Sequence, residues 1–217
     1  MAVPMKNLLA SAILFLSISA SAQSPAAVME RDFYWSALRT QLTNEQFIPH
    51  GTPVVIGDSR IQGIDFYPRV NVVNYGITGD TSAGMLNRLR KYAKPTGPVF
   101  LAGGVNDIGF GKKFDDEIVS NYEKMFAAAP ETSVFVMGIF PVIEEQFPGY
   151  GPRIKAINKK LRTACNRRPR CTYIDLWSQL STPRERARPE YMTKDGIHLN
   201  EAGGNLVVNA VINALPQ

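Results

Sequence analysis

The sequence predicts an α/β domain built on a five-stranded parallel sheet with helices on both faces. Three observations carry this expectation. Five short apolar runs, at residues 54–56, 70–75, 98–102, 133–138 and 171–176, have strand length and β-rich composition. They alternate with segments of helical period, the pattern of parallel strands joined by helical crossovers. No linker or second apolar core interrupts the 217 residues, a length suited to one domain.

Taken in order, Ser24-Pro25 reads as a helix start, with Val28, Phe33, Tyr34, Trp35 and Leu38 at roughly helical spacing up to residue 42. Pro49 to Pro53 is a loop. Val54-Val55-Ile56 then runs into Gly57-Asp58-Ser59-Arg60, a buried strand ending in a tight turn, and residues 61–66 suit a short helix. The second strand ends in Gly76-Ile77-Thr78-Gly79-Asp80-Thr81-Ser82 and feeds a helix with Met85, Leu86, Leu89 and Tyr92 on one face. The third strand ends in Gly103-Gly104-Val105-Asn106-Asp107, and a helix is expected over residues 114–129. After the fourth strand comes a loop over residues 139–151, rich in Pro, Gly and aromatics. Pro152 then suits the first turn of a helix carrying Ile154, Ile157 and Leu161. A short fifth strand, an arginine-rich segment, the turn Asp195-Gly196-Ile197-His198 and a last helix over residues 201–214 complete the chain.

The N-terminus reads separately. Lys6, an apolar run from Leu8 to Ala20 and the small-x-small triplet Ala20-Ser21-Ala22 have the pattern of a cleaved secretory signal over residues 1–22, leaving residues 23–217 as the mature domain. The competing reading is an uncleaved N-terminal anchor. No Cys follows the apolar run, which argues against a lipoprotein signal. The expected location is therefore periplasmic or extracellular, with no stable membrane insertion after cleavage. In such a compartment the only two cysteines, Cys165 and Cys171, are expected to form a local disulfide.

Two cysteines and two histidines, without C-x-x-C or H-E-x-x-H spacing, do not make a zinc site. The formal charge of +5 falls to +4 when Lys6 leaves with the signal. The cations cluster at Lys159, Lys160, Arg162, at Arg167, Arg168, Arg170 and at Arg184, Arg186, Arg188. A solvated face is the preferred reading over attraction to an anionic polymer, and no nucleic-acid signature accompanies the charge. G-x-S-x-G, a phosphate loop and G-x-G-x-x-G opening a helix are all absent.

In open α/β sheets, ligands bind at the carboxyl edge of the strands, where Ser59 is expected. A serine nucleophile needs a base, a carboxylate to orient that base, and donors aimed at the developing oxyanion. His50 lies in a loop before the first strand and reads as a surface residue. His198 follows Asp195 by three residues, a spacing that lets the carboxylate reach the near imidazole nitrogen. Gly79 could present an unobstructed N–H, or be a plain turn glycine; Asn106 could aim its side-chain amide at the same crevice, or be a cap. Three successive strand ends and one pre-helical turn thus deliver Ser, Gly, Asn and Asp/His to one edge.

This ordered set, Gly57-Asp58-Ser59, Gly79-Asp80, Gly104-Val105-Asn106-Asp107 and Asp195-Gly196-Ile197-His198, resembles the four blocks of the SGNH hydrolases, or GDSL lipases and esterases. The turn at residues 76–82 and the His-Leu-Asn ending are similar to the platelet-activating-factor acetylhydrolase-like and acetylesterase branches. The resemblance implies a three-layer, flavodoxin-like sheet and no metal or organic cofactor. It implies Ser59 as nucleophile, His198 as base oriented by Asp195, and an oxyanion hole of the Ser59 and Gly79 N–H groups with the Asn106 side chain. Two positions depart from the pattern: Arg60 stands where Leu is usual, and Leu199 where Pro is common. Arg60 reads either as a cation at the mouth of the site, favouring an acidic or sugar-polymer substrate, or as an exposed first-turn residue.

The expected partner is an ester, first of all a short acyl ester such as acetylated carbohydrate. The rival is a lysophospholipid or thioester with a longer chain held against Phe140, Pro141, Phe147 and Tyr150. An acyltransferase and a non-catalytic glycan-binding domain are the remaining alternatives.

Overall fold

In a computed structural model of the chain, residues 32–45, 47–91, 95–129 and 131–216 are described. The signal segment at residues 1–22 and the expected helix start at Ser24-Pro25 lie outside these residues. Among the described residues no helix is long and apolar enough to cross a membrane.

Five strands, β1 (Val54–Gly57), β2 (Val73–Gly76), β3 (Val99–Ala102), β4 (Val134–Gly138) and β5 (Cys171–Tyr173), form one sheet in the order β2-β1-β3-β4-β5. Every pairing is parallel, with Val54 opposite both Val73 and Val99. This is the doubly wound arrangement the sequence predicts, with its switch point between β1 and β3. The helices are α1 (Asp32–Glu45), α2 (Ser59–Gln62), α3 (Ser82–Lys91), α4 (Val105–Gly109), α5 (Asp115–Ala128), α6 (Tyr150–Asn166), α7 (Trp177–Leu180) and α8 (Glu201–Ala214).

Alternation along the strands sorts two cores. Val54, Ile56, Val99, Leu101, Val134 and Val136 pack against α3, α5 and α6, whereas Val55, Phe100, Phe135 and Met137 pack against α2, α7 and α8. Both faces of the central strands are therefore buried, as continuous apolar runs require. On the second face Phe100 stacks on Phe135 at 4.6 Å between ring centroids. Tyr34 and Leu38 of α1 form a separate cluster with Ile77, which places α1 over the turn after β2.

The expected disulfide between Cys165 and Cys171 is formed, with a Cα–Cα distance of 5.3 Å, and ties the end of α6 to the start of β5. Two short helices depart from the expectation. Residues 105–109 read as a turn because Gly104 precedes them and the stretch is barely one turn long; residues 177–180 read as irregular for the same brevity. The second strand starts at Val73 rather than residue 70, and α2 begins at Ser59 itself.

Candidate active site

The carboxyl ends of β1, β2 and β3 converge with the turn before α8, and each delivers one side chain or amide. At the end of β1, Gly57 leaves no room for a side chain: a Cβ there would lie 2.3 Å from Ile61 Cγ1 and 2.4 Å from the Ala102 carbonyl. That close approach lets α2 start directly off the strand. Asp58 caps it, its Oδ1 accepting the Arg60 N–H at 3.0 Å. Ser59 is thereby the first residue of α2, and half-buried.

From the other end of the chain, Asp195 organises its own turn. Its Oδ1 accepts the N–H groups of Ile197 and His198 at 2.9 and 3.0 Å and the Thr193 hydroxyl at 2.6 Å. Its Oδ2 lies 2.7 Å from His198 Nδ1. Partial burial works against its charge, but the His198 backbone N–H and ring, the Thr193 hydroxyl and the Ile197 N–H prevail. They hold the Asp195 carboxyl well below the usual carboxylate range. The far ring nitrogen, His198 Nε2, lies 2.9 Å from Ser59 Oγ. Asn200 caps α8 by accepting the Gly203 N–H at 3.0 Å, so the turn is fixed to the helix that follows.

The two expected oxyanion donors lie on the neighbouring strand ends. Gly79 has φ +75°, a left-handed conformation in which a side chain would be strained. The N–H groups of Ser59 and Gly79 have no hydrogen-bond acceptor among the described residues. Asn106, half-buried in α4, donates one Nδ2 hydrogen to the Asp80 carbonyl at 2.7 Å, which leaves its second amide hydrogen for another acceptor. His50 is exposed in the loop before β1, at the amino end of the strand whose carboxyl end carries Ser59.

Beneath the site lies a polar network to which the sequence reading assigned no role. Arg88 is 1 % exposed. Its guanidinium bonds to Asp80 Oδ2 at 2.6 and 2.9 Å, to the Tyr75 carbonyl at 2.5 Å and to the Gly57 carbonyl at 3.0 Å. One side chain thus joins the ends of β1 and β2 to the Gly79-Asp80 turn, and the Asp80 carbonyl in turn holds Asn106. Burial pushes the Asp80 carboxyl up to about 6, Arg88 working in the opposite direction. The signal that could have revealed Arg88 was its place among Met85, Leu86 and Leu89 on the inward side of a helix, a charge where the helical pattern demands an apolar residue.

A second buried carboxyl, Asp107, accepts the Ser82 N–H at 2.9 Å and the Ser82 hydroxyl at 2.6 Å, and Asn121 Nδ2 donates to that hydroxyl oxygen at 3.0 Å. Burial pushes Asp107 up to about 7 despite the Ser82 donors. Between its ordinary value of 3.8 and this one, the folded state binds a proton that the unfolded chain does not, so stability falls as pH rises through that window. Asp107→Asn is expected to fall less steeply than wild type when urea unfolding is followed from acid to neutral pH. Equal slopes would contradict the assignment.

Two sequence expectations are corrected. Arg60 is neither a cation at the mouth nor an exposed helix residue: it is 3 % exposed. Its Nη1 donates to the Phe140 carbonyl at 2.8 Å, its guanidinium carbon lies 5.2 Å from the Phe140 ring centroid, and Asp58 Oδ1 is 3.7 Å from its Nε. A counter-charge, a carbonyl and an aromatic face together make burial of this cation tolerable. Phe140, expected as a substrate contact, is 1 % exposed and spent on that same packing. Pro141 is also buried, and Phe147 and Tyr150 pack on the core of the α3–α6 face.

A parallel sheet carrying serine, histidine and carboxylate in contact at its carboxyl edge defines the class of α/β proteins that includes the SGNH hydrolases. The chain belongs to the GDSL-like lipase/acylhydrolase family, whose sequence profile matches residues 55–206. Its fold is similar to that of a Streptococcus pneumonia protein provisionally described as a platelet activating factor: TM-score 0.73, 21% identity, covering 87% of this chain and 96% of that one. It is also similar to a GDSL-like lipase from Bacteroides thetaiotaomicron, with TM-score 0.71 and 20% identity over 82% of this chain and 96% of that one. A lipase/acylhydrolase from Enterococcus faecalis matches with TM-score 0.65 and 23% identity over 75% of this chain and 94% of the other. At these identities the likeness is one of fold. No curated protein matches the chain.

Proposed function

We infer that the protein is a serine esterase that hydrolyses short acyl esters, first of all acetyl esters of carbohydrate, after export from the cytoplasm. The observation that carries the reading is the unbroken relay from Asp195 through His198 to Ser59, with contacts of 2.7 and 2.9 Å. In this reading His198 Nε2 takes the hydroxyl proton as Ser59 Oγ attacks the ester carbonyl. Asp195 accepts from Nδ1–H and stabilises the imidazolium that forms. The Ser59 and Gly79 N–H groups and the free Asn106 amide hydrogen receive the oxyanion, a role that preorganised donors fill at no reorganisation cost. The imidazolium then protonates the departing alcohol, and water attacks the acyl-enzyme through the same base.

The short-acyl preference is supported by the burial of Phe140 and Pro141, which removes half of the apolar wall a long chain would need. Export is supported by the leader pattern at residues 1–22 and by the Cys165–Cys171 disulfide, a bond suited to an oxidising compartment. The test is a p-nitrophenyl ester series from acetate to dodecanoate. Acetate is expected to give the highest kcat/KM, and a maximum at octanoate or beyond would replace this reading by a lysophospholipase or thioesterase.

A further inference from the structure

Two basic clusters fold onto one groove. Most of their cations are neutralised at the surface: Lys160 by Asp116 at 2.6 Å, Arg162 by Asp175 at 2.7 Å, Arg186 by Glu145 at 2.5 Å and Arg188 by Glu190 at 3.7 Å. Lys159 and Arg184, one from each cluster, form no ion pair among the described residues. These two residues, far apart in sequence, line the same cavity of about 460 Å³, together with Trp177 and Val142. An adjoining cavity of about 470 Å³ shares Arg184 and Arg186 with it and extends to Ile143 and Pro189. Both volumes fall in the range of small-ligand sites.

A residue lining the second cavity is tied to the active-site turn. The Ile143 N–H donates to the Gly196 carbonyl at 2.8 Å, between Asp195 and His198. The carboxylates that line the two cavities are each engaged: Glu144 accepts the N–H groups of Gly149 and Gly151, Glu185 pairs with Lys155, and Glu145 pairs with Arg186. The pair of cavities therefore forms a trough across the Arg184–Arg186 rim, with Ile143, bonded to the His198 turn, in the lining of one end and a half-buried indole with an unpaired ammonium at the other.

We propose that this trough binds the acidic saccharide half of the ester, an oligosaccharide bearing carboxylates whose acylated end lies at Ser59. The inference rests on the esterase reading above. Carboxylates meet Arg184 and Lys159, and the indole of Trp177 offers an apolar surface for a sugar ring. A lipid surface fits less well, because the unpaired cations line a concavity. The exposed large apolar side chains Trp35, Phe47 and Tyr67 lie on other segments.

The test uses full-length mature Ser59→Ala protein, which binds without turnover, in calorimetric titrations with tetragalacturonate and with neutral maltotetraose. Tetragalacturonate is expected to bind the more tightly and to weaken with salt. The added pair Lys159→Ala and Arg184→Ala, both exposed and without structural partners, should weaken it by about tenfold at an unchanged melting temperature. Equal binding of the two saccharides, no binding of either, or an unaffected double variant would overturn the proposal. So would binding of phosphatidylglycerol vesicles in place of tetragalacturonate. Wild-type turnover of p-nitrophenyl acetate is scored separately: its absence removes the esterase reading itself, whereas turnover without acid preference removes the trough alone.

Discussion

Ser59→Ala is expected to lower kcat on p-nitrophenyl acetate by about five orders of magnitude, the scale seen when one member of a cooperating nucleophile–base pair is removed. The hydroxyl is half-buried and its one side-chain partner is His198 Nε2. Its removal therefore deletes the attacking atom without opening the core. Stability should change by no more than about 0.5 kcal/mol, as for surface substitutions in general. The pairing of dead activity with unchanged melting distinguishes a chemical role for Ser59 from a capping role at the start of α2. A variant that retains a tenth of wild-type turnover would leave Ser59 without the role of nucleophile.

The largest effect on stability is expected at Arg88. Arg88→Met keeps much of the side chain's length but leaves the Asp80 carboxylate, itself fully buried, without its counter-charge, and takes one donor from each of the Gly57 and Tyr75 carbonyls. Breaking one side of a buried ion pair costs about 3–5 kcal/mol, a large share of the whole stability of a domain of this size. Adding Asp80→Leu to Arg88→Met should recover part of that loss, because no unpaired charge then remains. Urea unfolding of the two singles and the double closes the cycle. Additive losses would show that the pair does not act as a unit. Because the Asp80 carbonyl holds Asn106, a folded Arg88 variant should also lose kcat more than KM, the pattern of a donor displaced from the transition state.

The sheet was legible because the first four strands are short apolar runs ended by glycine, a signal set by burial in the sheet rather than by fine propensity. Ser59, Gly79, Asn106, Asp195 and His198 were legible as candidates for a related reason. A doubly wound sheet brings successive strand ends to one edge, so residues distant in sequence can be assigned to one crevice before any distance is known. What escaped was the pairing of charges in three dimensions. Arg60 looked exposed because a cation after a Gly-Asp-Ser turn is most often solvated; its burial depends on the Phe140 carbonyl and ring, which arrive from a loop 80 residues away. Arg88 was hidden by the same logic, since its partners come from β1, β2 and the turn between β2 and α3. The aromatic loop over residues 139–151 read as an acyl wall from composition alone, yet its first members face inward to hold α2. Boundaries shifted where a helix was a single turn long, too short for periodicity to speak.

The most direct test of the central claim is to treat the mature protein with a p-nitrophenyl alkylphosphonate, which mimics the tetrahedral intermediate and bonds to an activated serine, and then to map the adduct by peptide mass spectrometry. The account predicts one phosphonyl group per chain, on Ser59, with activity lost in proportion to labelling and no labelling of a His198→Ala variant. An adduct on another serine, or full inactivation with Ser59 unmodified, would contradict it.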